Sequence, residues 1–218
     1  MLRPKNPQRR ALAFVLSIAA ALVACAEPPV ATTDVTGTIG DPRPVDLGTG
    51  PDRPRRRMDI DQLDAAMRRA TGGLGWDDSS GRSQLERFSA TLGVPDYVST
   101  TTEDLEVSAL FLKFLDDAAR STCDRLITRE RDALPAERTF LVHAELDAAL
   151  PADAAAIDAN LAHLLLRFHG RRVAADAEEL EPWRELFAMS RAASPDEPAT
   201  AWRTTCVALI DHPDFYLY

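Results

Sequence analysis

The feature that most constrains the fold of this chain is a long amphipathic stretch from Glu103 to Arg129. Within it, apolar and small side chains recur at steps of three and four residues, the spacing that places them on one face of an α-helix. The face consists of Val107, Leu110, Phe111, Phe114, Leu115, Ala118, Ala119, Thr122, Cys123, Leu126 and Ile127. So wide an apolar face must be covered by other elements, so we expect this helix to form the centre of an all-helical core.

Other segments of the chain show the same period and predict further helices. We expect them at about Met58–Ala70, over Leu85–Leu92, from a cap at Asp153 to Phe168, at about Asp176–Ala193 and at about Ala199–Ile210. Thr100 with Glu103, or Thr101 with Asp104, is a possible capping box for the central helix. Residues 132–152 are ambiguous: Thr139–Val142 has strand-like residues, and we favour a short extended connector. The predicted fold class is all-α, a compact bundle of about five to six helices over residues 57–218.

Residues 1–24 have the pattern of a signal peptide. A basic segment ends at Arg10, and an apolar or small-residue run from Ala11 to Ala24 follows it. A helix of this length spans only about 21 Å, whereas the hydrocarbon core of a bilayer is about 30 Å thick. The pattern therefore predicts an export signal and not a transmembrane helix.

The end of this leader resembles the lipobox of bacterial lipoproteins. Leu22-Val23-Ala24-Cys25 would place Cys25 at the lipidated N-terminus of the mature chain. The alternative is ordinary cleavage, because Ala24-Cys25-Ala26 also fits the Ala-x-Ala pattern. If the chain is similar to lipoproteins of Gram-negative bacteria, Ala26 after the cysteine implies an outer-membrane location.

Residues 25–56 are predicted to be a disordered tether between the lipid and the helical domain. The segment is rich in Pro, Gly, Thr and Asp and has no apolar period, so it cannot bury enough surface to offset its ordering entropy. Arg53, Arg55, Arg56 and Arg57 close it, and we interpret them as solvated charges that flank the first helix, although contact with acidic lipid or a partner is an alternative.

The charge of the chain argues against a nucleic-acid partner. Asp and Glu together number 34 and Lys and Arg 25, which gives a formal net charge of -9. An acidic surface repels the phosphate backbone. The partners we expect are the membrane, through the lipid anchor, and another exported protein.

The cysteines favour an oxidising compartment. Lipidation would consume Cys25 and leave Cys123 and Cys206, both on apolar helical faces and therefore expected to point inward. A disulfide between them would close a loop of roughly 80 residues and contribute roughly 4 kcal/mol. The alternative is two separate buried thiols that act as small hydrophobic side chains.

Catalytic and cofactor motifs are missing from the sequence, so we predict no cofactor, no metal site and no catalytic residue. There is no Cys-x-x-Cys-His for covalent haem, and no P-loop, dinucleotide-binding or Gly-x-Ser-x-Gly pattern. The four histidines, His143, His163, His169 and His212, share no ligand spacing. His169, near a predicted helix end, is expected to act as a charge or cap beside the helix dipole. His212-Pro213-Asp214 matches a tripeptide of co-chaperone J domains. In J domains the tripeptide lies between two helices, whereas here it lies near residue 218, so we interpret the match as coincidence.

Four segments resemble helical modules of unknown function in planctomycete-type secreted, cytochrome-associated proteins. They are Arg57-Met58-Asp59-Ile60-Asp61-Gln62-Leu63, Leu112-Lys113-Phe114-Leu115-Asp116-Asp117-Ala118-Ala119, Leu166-Arg167-Phe168-His169-Gly170-Arg171-Arg172-Val173 with Asp176 and Glu178 after it, and Cys206-Val207-Ala208-Leu209-Ile210-Asp211-His212-Pro213-Asp214-Phe215. The resemblance implies a helical fold and a secreted location. This chain lacks a haem motif and is far shorter than the multi-module members.

These observations predict an envelope lipoprotein whose helical domain binds or assembles with another exported protein. An enzyme with an unrecognised site and a structural envelope component are the alternatives. The candidate binding residues are Trp76 and the C-terminal aromatic residues Phe215, Tyr216 and Tyr218, for each of which packing in the core is the competing interpretation.

Overall fold

The helical fold predicted from the sequence is confirmed in the computed structural model, which describes residues 55–218. The α-helices of this part of the chain are α1 (Ile60–Thr71), α2 (Gln84–Arg87), α3 (Ala109–Asp132), α4 (Ala154–His169), α5 (Glu181–Ala193), α6 (Ala199–Asp211) and α7 (Pro213–Tyr216). Helices α2 and α7 are single turns, and the other five have 12 residues or more. Residues 55–218 contain no β-strand. The predicted signal peptide (1–24), Cys25 and all but the last two residues of the predicted tether (25–56) lie outside the described residues.

The central helix α3 begins later than the sequence predicted. Its N-cap is Ser108, whose hydroxyl accepts a hydrogen bond from the Phe111 amide at 3.0 Å, so the predicted caps at Thr100 and Thr101 are wrong. The preceding segment satisfies its backbone differently, because the Asp104 amide donates to the Gly93 carbonyl at 3.0 Å. As a consequence Val107 and Leu110, predicted on the buried face, are 40% and 48% exposed.

Arg57 donates hydrogen bonds to backbone carbonyls of the segment that precedes α3, so this segment is stabilised without being helical. Its side chain is 1% exposed, and its guanidinium lies 4.8 Å from the centre of the Phe111 ring. The guanidinium donates to four backbone carbonyls, those of Met58, Leu92, Asp104 and Glu106. The interpretation of the arginine run as solvated is therefore wrong for Arg57, because backbone acceptors replace its water shell. Arg55 and Arg56 are exposed.

Helix α6 occupies the middle of the core, between α3 and α5. Trp202 and Cys206 on α6 are fully buried, and the Cys206 sulfur lies at disulfide-bonding distance from that of Cys123 on α3. The two Cα atoms are 5.8 Å apart, within the range that a disulfide spans. The predicted proximity of these cysteines is confirmed.

The connector between α3 and α4 is irregular, and two buried polar side chains organise it. The Glu130 carboxylate, 1% exposed, accepts hydrogen bonds from the amides of Thr139, Phe140 and Leu141 at 3.0–3.1 Å. The side-chain oxygen of Asn160 accepts from the next two amides, at 3.0 Å each. The strand-like residues 139–142 thus find side-chain acceptors where a strand would find a neighbouring strand.

The ends of α1 follow the sequence signals, whereas the predicted cap of α4, like those of α3, does not bond to its helix. Asp59 and Gln62 form a capping box at the start of α1, and Gly72 ends that helix in the left-handed conformation, with φ of 70°. Asp153 occupies the cap position of α4, but its carboxylate accepts from the Ala149 amide and not from the helix.

The C-terminal residues dock onto the start of the domain. The amide of Met58 donates to the Tyr216 carbonyl at 2.8 Å, and the backbones of Arg56 and Tyr218 exchange two hydrogen bonds of 3.3 and 3.0 Å. The aromatic residues after Asp211 predict a docked C-terminal segment, and this prediction is confirmed. The two ends of the described chain therefore lie side by side.

We expect Glu130→Ala to lower the free energy of unfolding by about 3 kcal/mol, since three buried amides lose their acceptor together. Urea unfolding followed by circular dichroism measures the change. Glu137→Ala, an exposed glutamate in the same connector, is the matched control and should stay within about 0.5 kcal/mol of the parent protein. Equal effects of the two substitutions would contradict the role given to Glu130.

Candidate functional site

Three of the four aromatic residues named as binding candidates pack inside the domain. Phe215 and Tyr216 are 3% and 5% exposed. The Tyr216 ring meets that of Phe111 edge-on, with centroids 5.6 Å apart. Trp76 is half-buried in an aromatic cluster, with its ring 5.9 Å from Phe88 and 6.0 Å from Phe114. Their contacts stabilise the bundle and leave little of their surface for a partner.

Tyr218 differs from these three because it is 65% exposed. It borders a groove of about 340 Å³ along the outer face of α1. The groove is lined by Met58, Gln62, Ala65, Ala66, Arg69 and Tyr218. The lining combines an aromatic ring and small apolar side chains with one cation. Arg69 forms no ion pair with an acidic side chain in residues 55–218.

The acidic loop after Trp76 is closed by its own ion pairs. Asp77 lies 2.5 Å from an Arg68 nitrogen and 3.4 Å from an Arg125 nitrogen. The hydrogen bond from Arg68 lowers the pKa of Asp77. Asp78 accepts from the backbone amides of Ser80 and Arg82. Because Arg68 belongs to α1 and Arg125 to α3, Asp77 connects these two helices, and the loop has a structural role.

A second acidic group, Asp211 at the end of α6, is poorly satisfied. One of its carboxylate oxygens is buried and has no hydrogen-bond partner within the described part of the chain. Burial, and then the charge of Asp116 on α3, raise the pKa of Asp211 to about 6, against a smaller opposing effect of Arg120. Burial, and then the charge of Asp211, raise the pKa of Tyr216 on α7. Asp116 itself is partly exposed and forms an ion pair with Arg120 at 2.8 Å.

Two histidines that are far apart in the sequence meet where α4 ends and α7 begins. The rings of His169 and His212 are stacked with centroids 4.8 Å apart, and Asp214 lies beside them. The Trp183 ring of α5 borders both, at 5.7 Å from His169 and 5.9 Å from His212. We call His169, His212 and Asp214 the histidine cluster.

His169 is held in one orientation by a hydrogen bond to the backbone of α6. Its Nε2 lies 2.8 Å from the Leu209 carbonyl, so Nε2 carries the proton and donates. Burial lowers the pKa of His169, and the bond to Leu209 opposes this effect only in part. The sequence predicted a charge or cap beside the helix dipole, whereas this desolvation disfavours the charged form of His169.

The sequence did not predict the histidine cluster. His169 lies 43 residues before His212, and no local spacing relates the two. The signal was present in His212-Pro213-Asp214. Pro213 forces a turn after α6, and the turn places His212 against the end of α4. The second histidine pair, His143 and His163, has rings 5.7 Å apart and edge-on.

We expect Asp211→Asn to stabilise the protein at pH 7 by about 1–2 kcal/mol, allowing for the partial exposure of the side chain. The pKa of Asp211 is higher in the folded state than in the unfolded state. Ionisation therefore costs stability as the pH rises from about 4 to about 6, and the cost persists above that range. The stabilisation by the substitution should therefore shrink as the pH falls from about 6 to about 4, where Asp211 is protonated in the folded parent.

Urea unfolding at a series of pH values measures this effect. Asp176→Asn, at an exposed position, is the control and should leave the pH profile unchanged. A stabilisation by Asp211→Asn that is as large at pH 4 as at pH 7 would contradict the assignment.

Comparison with known proteins returns no relative. No protein-family model, no curated protein and no solved structure matches this chain. No helix of residues 55–218 has both the length and the apolar composition needed to cross a bilayer.

Proposed function

We propose that the chain is an envelope lipoprotein whose helical domain binds another exported protein. In this proposal residues 1–24 direct export, Cys25 carries the lipid and residues 25–56 are the tether. The observation that carries the proposal is the lipobox-like sequence Leu22-Val23-Ala24-Cys25. Ala26 favours the outer membrane of a Gram-negative cell as the destination.

The cysteine pair supports export independently of the leader. Cys123 and Cys206 lie at disulfide-bonding distance in the centre of the core. Disulfides persist in oxidising compartments such as the periplasm and are rare in the cytosol. A bridge between α3 and α6 would stabilise a domain that works outside the protection of cytosolic chaperones.

The groove beside Tyr218 supports the binding role. Tyrosine and arginine are enriched at protein interfaces, and here Tyr218 and Arg69 border the same apolar groove. The partner that fits this chemistry presents an apolar side chain next to a carboxylate. The groove lies beside Arg56, at the point where the described chain begins, so a bound partner would be held close to the tether.

We expect Cys25→Ser to move the protein from the membrane fraction to the soluble periplasmic fraction of a Gram-negative host, because a serine cannot take the lipid. Immunoblots of the separated fractions measure the distribution. Cys206→Ser, which removes a core thiol, is the matched control and should remain in the membrane fraction. Periplasmic release of the parent protein would favour ordinary cleavage at Ala24-Cys25-Ala26 and contradict the lipoprotein assignment.

We expect a photo-crosslinking amino acid at position 218 to capture one exported protein in intact cells. The same amino acid at position 189 is the matched control, because Met189 on α5 is also 65% exposed but lies outside the groove. Arg69→Glu, in the same cells, should reduce the crosslink at position 218 at least about fivefold by reversing the charge of the groove.

The crosslinked product decides among the occupants of the groove. Capture at 218 that persists with Arg69→Glu, or equal capture at 189, would contradict binding in the groove. A product of the chain with itself would show that the occupant is a second copy or the chain's own N-terminal segment, which would also contradict the proposed partner.

A further inference from the structure

The histidine cluster contains a buried lone pair that no donor satisfies. Because Nε2 of His169 donates to the Leu209 carbonyl at 2.8 Å, the neutral ring keeps its lone pair on Nδ1. This Nδ1 is buried and has no hydrogen-bond partner in residues 55–218. A histidine that ligates a metal has this arrangement, with one ring nitrogen fixed by a backbone carbonyl and the other free to coordinate.

Two further ligand groups lie beside His169. One ligand atom from each of His169, His212 and Asp214 can be chosen so that all three lie within 4.8 Å of one another. Two imidazole nitrogens and one carboxylate oxygen form a donor set that suits Zn²⁺ and the neighbouring transition metals better than Mg²⁺ or Ca²⁺.

The surroundings hold His169 more firmly than the other two groups. The Trp183 ring lies beside both imidazoles. His169 is the last residue of α4, and its ring is bonded to the Leu209 carbonyl of α6. Asp214 lies on the one-turn helix α7 and His212 is the residue before it, and both side chains are partly exposed. The ligands of a tetrahedral zinc site are about 3.4 Å apart. A shift of about 1.4 Å in the C-terminal turn (residues 212–216) would bring ligand atoms that are 4.8 Å apart to that spacing.

The contacts that a metal would replace are weak. The Nδ1 of His212 accepts from the Asp214 amide at 3.1 Å, and a carboxylate oxygen of Asp214 lies 3.5 Å from an Arg171 nitrogen. Both members of the ion pair are exposed, and exposed pairs contribute little. Their loss is small beside the free energy of binding a transition metal with three protein ligands.

We propose that His169, His212 and Asp214 bind one divalent transition-metal ion, with Zn²⁺ as the best match, and leave a fourth position open to solvent. The ion would tie the C-terminal turn to the ends of α4 and α6. This inference is independent of the lipid anchor and of the groove beside Tyr218.

The test is isothermal titration of Zn²⁺ into the full chain, purified in detergent without a histidine tag and treated with a chelator. We expect one ion per chain and a thermal midpoint raised by about 5–10 °C at a zinc concentration about one hundred times Kd. Mg²⁺, titrated in the same way, should produce neither effect.

Variants assign the ion to the cluster. Asp214→Asn and His212→Ala should each raise Kd for Zn²⁺ at least about tenfold. His143→Ala is the matched control: it removes an exposed histidine from the other pair and should leave Kd unchanged. All four histidines of the chain lie in the described residues, so His143 and His163 are the other two imidazoles that zinc could meet. Circular dichroism checks that each variant is folded. If His212→Ala does not fold, Asp214→Asn, at an exposed position, still tests the site.

Replacement of Zn²⁺ by Co²⁺ reports the ligand geometry through its visible absorption, which a merely structural role of these side chains would not produce. Zinc binding no tighter than magnesium binding would overturn the proposal. Parent-like zinc affinity in both Asp214→Asn and His212→Ala would overturn it as well.

Discussion

The contact between α3 and α6 is the interaction on which the rest of the described structure depends. Helix α6 is short, and its buried side chains include Trp202, Cys206 and Leu209, so its stability comes from burial and not from its own length. Helix α3 covers one side of it and α5 the other. The cysteine pair lies in the middle of the α3 contact, where a covalent bridge would prevent the two helices from separating.

Buried polar side chains satisfy the backbone hydrogen-bonding groups of the segments that are not helical. Long irregular segments separate α2 from α3 and α3 from α4, and their amides and carbonyls must find partners inside the domain. Arg57 serves the first segment as a donor to carbonyls, and Glu130 and Asn160 serve the second as acceptors of amides. One charged or amide side chain thus replaces several of the backbone hydrogen bonds that a helix or sheet would provide. Each is almost completely buried, which is why removal should be more costly than the loss of one surface charge.

The C-terminal turn connects the two surfaces to which we assign function. Pro213 reverses the chain after α6, so that His212 and Asp214 face His169 on one side. The following residues run back to the start of the domain, where Tyr218 pairs with the backbone of Arg56 and borders the groove on α1. A metal ion in the histidine cluster would restrain this turn, and through it the position of the Tyr218 ring. The two proposals stay separable, because the groove and the cluster share no residue.

The sequence by itself determined the helical class, most helix boundaries, the inward orientation of Cys123 and Cys206, and the docked tail. These follow from the period of apolar residues and from caps such as Asp59 and Gly72, which act over a few neighbouring positions. Only the tertiary structure decided the late start of α3, the burial of Arg57, the irregular course of residues 139–142 and the meeting of His169 with His212. Each of these depends on a partner 9 to 49 residues away, and the local pattern of a sequence carries no information about which distant side chain will satisfy a backbone group or stand beside a ring.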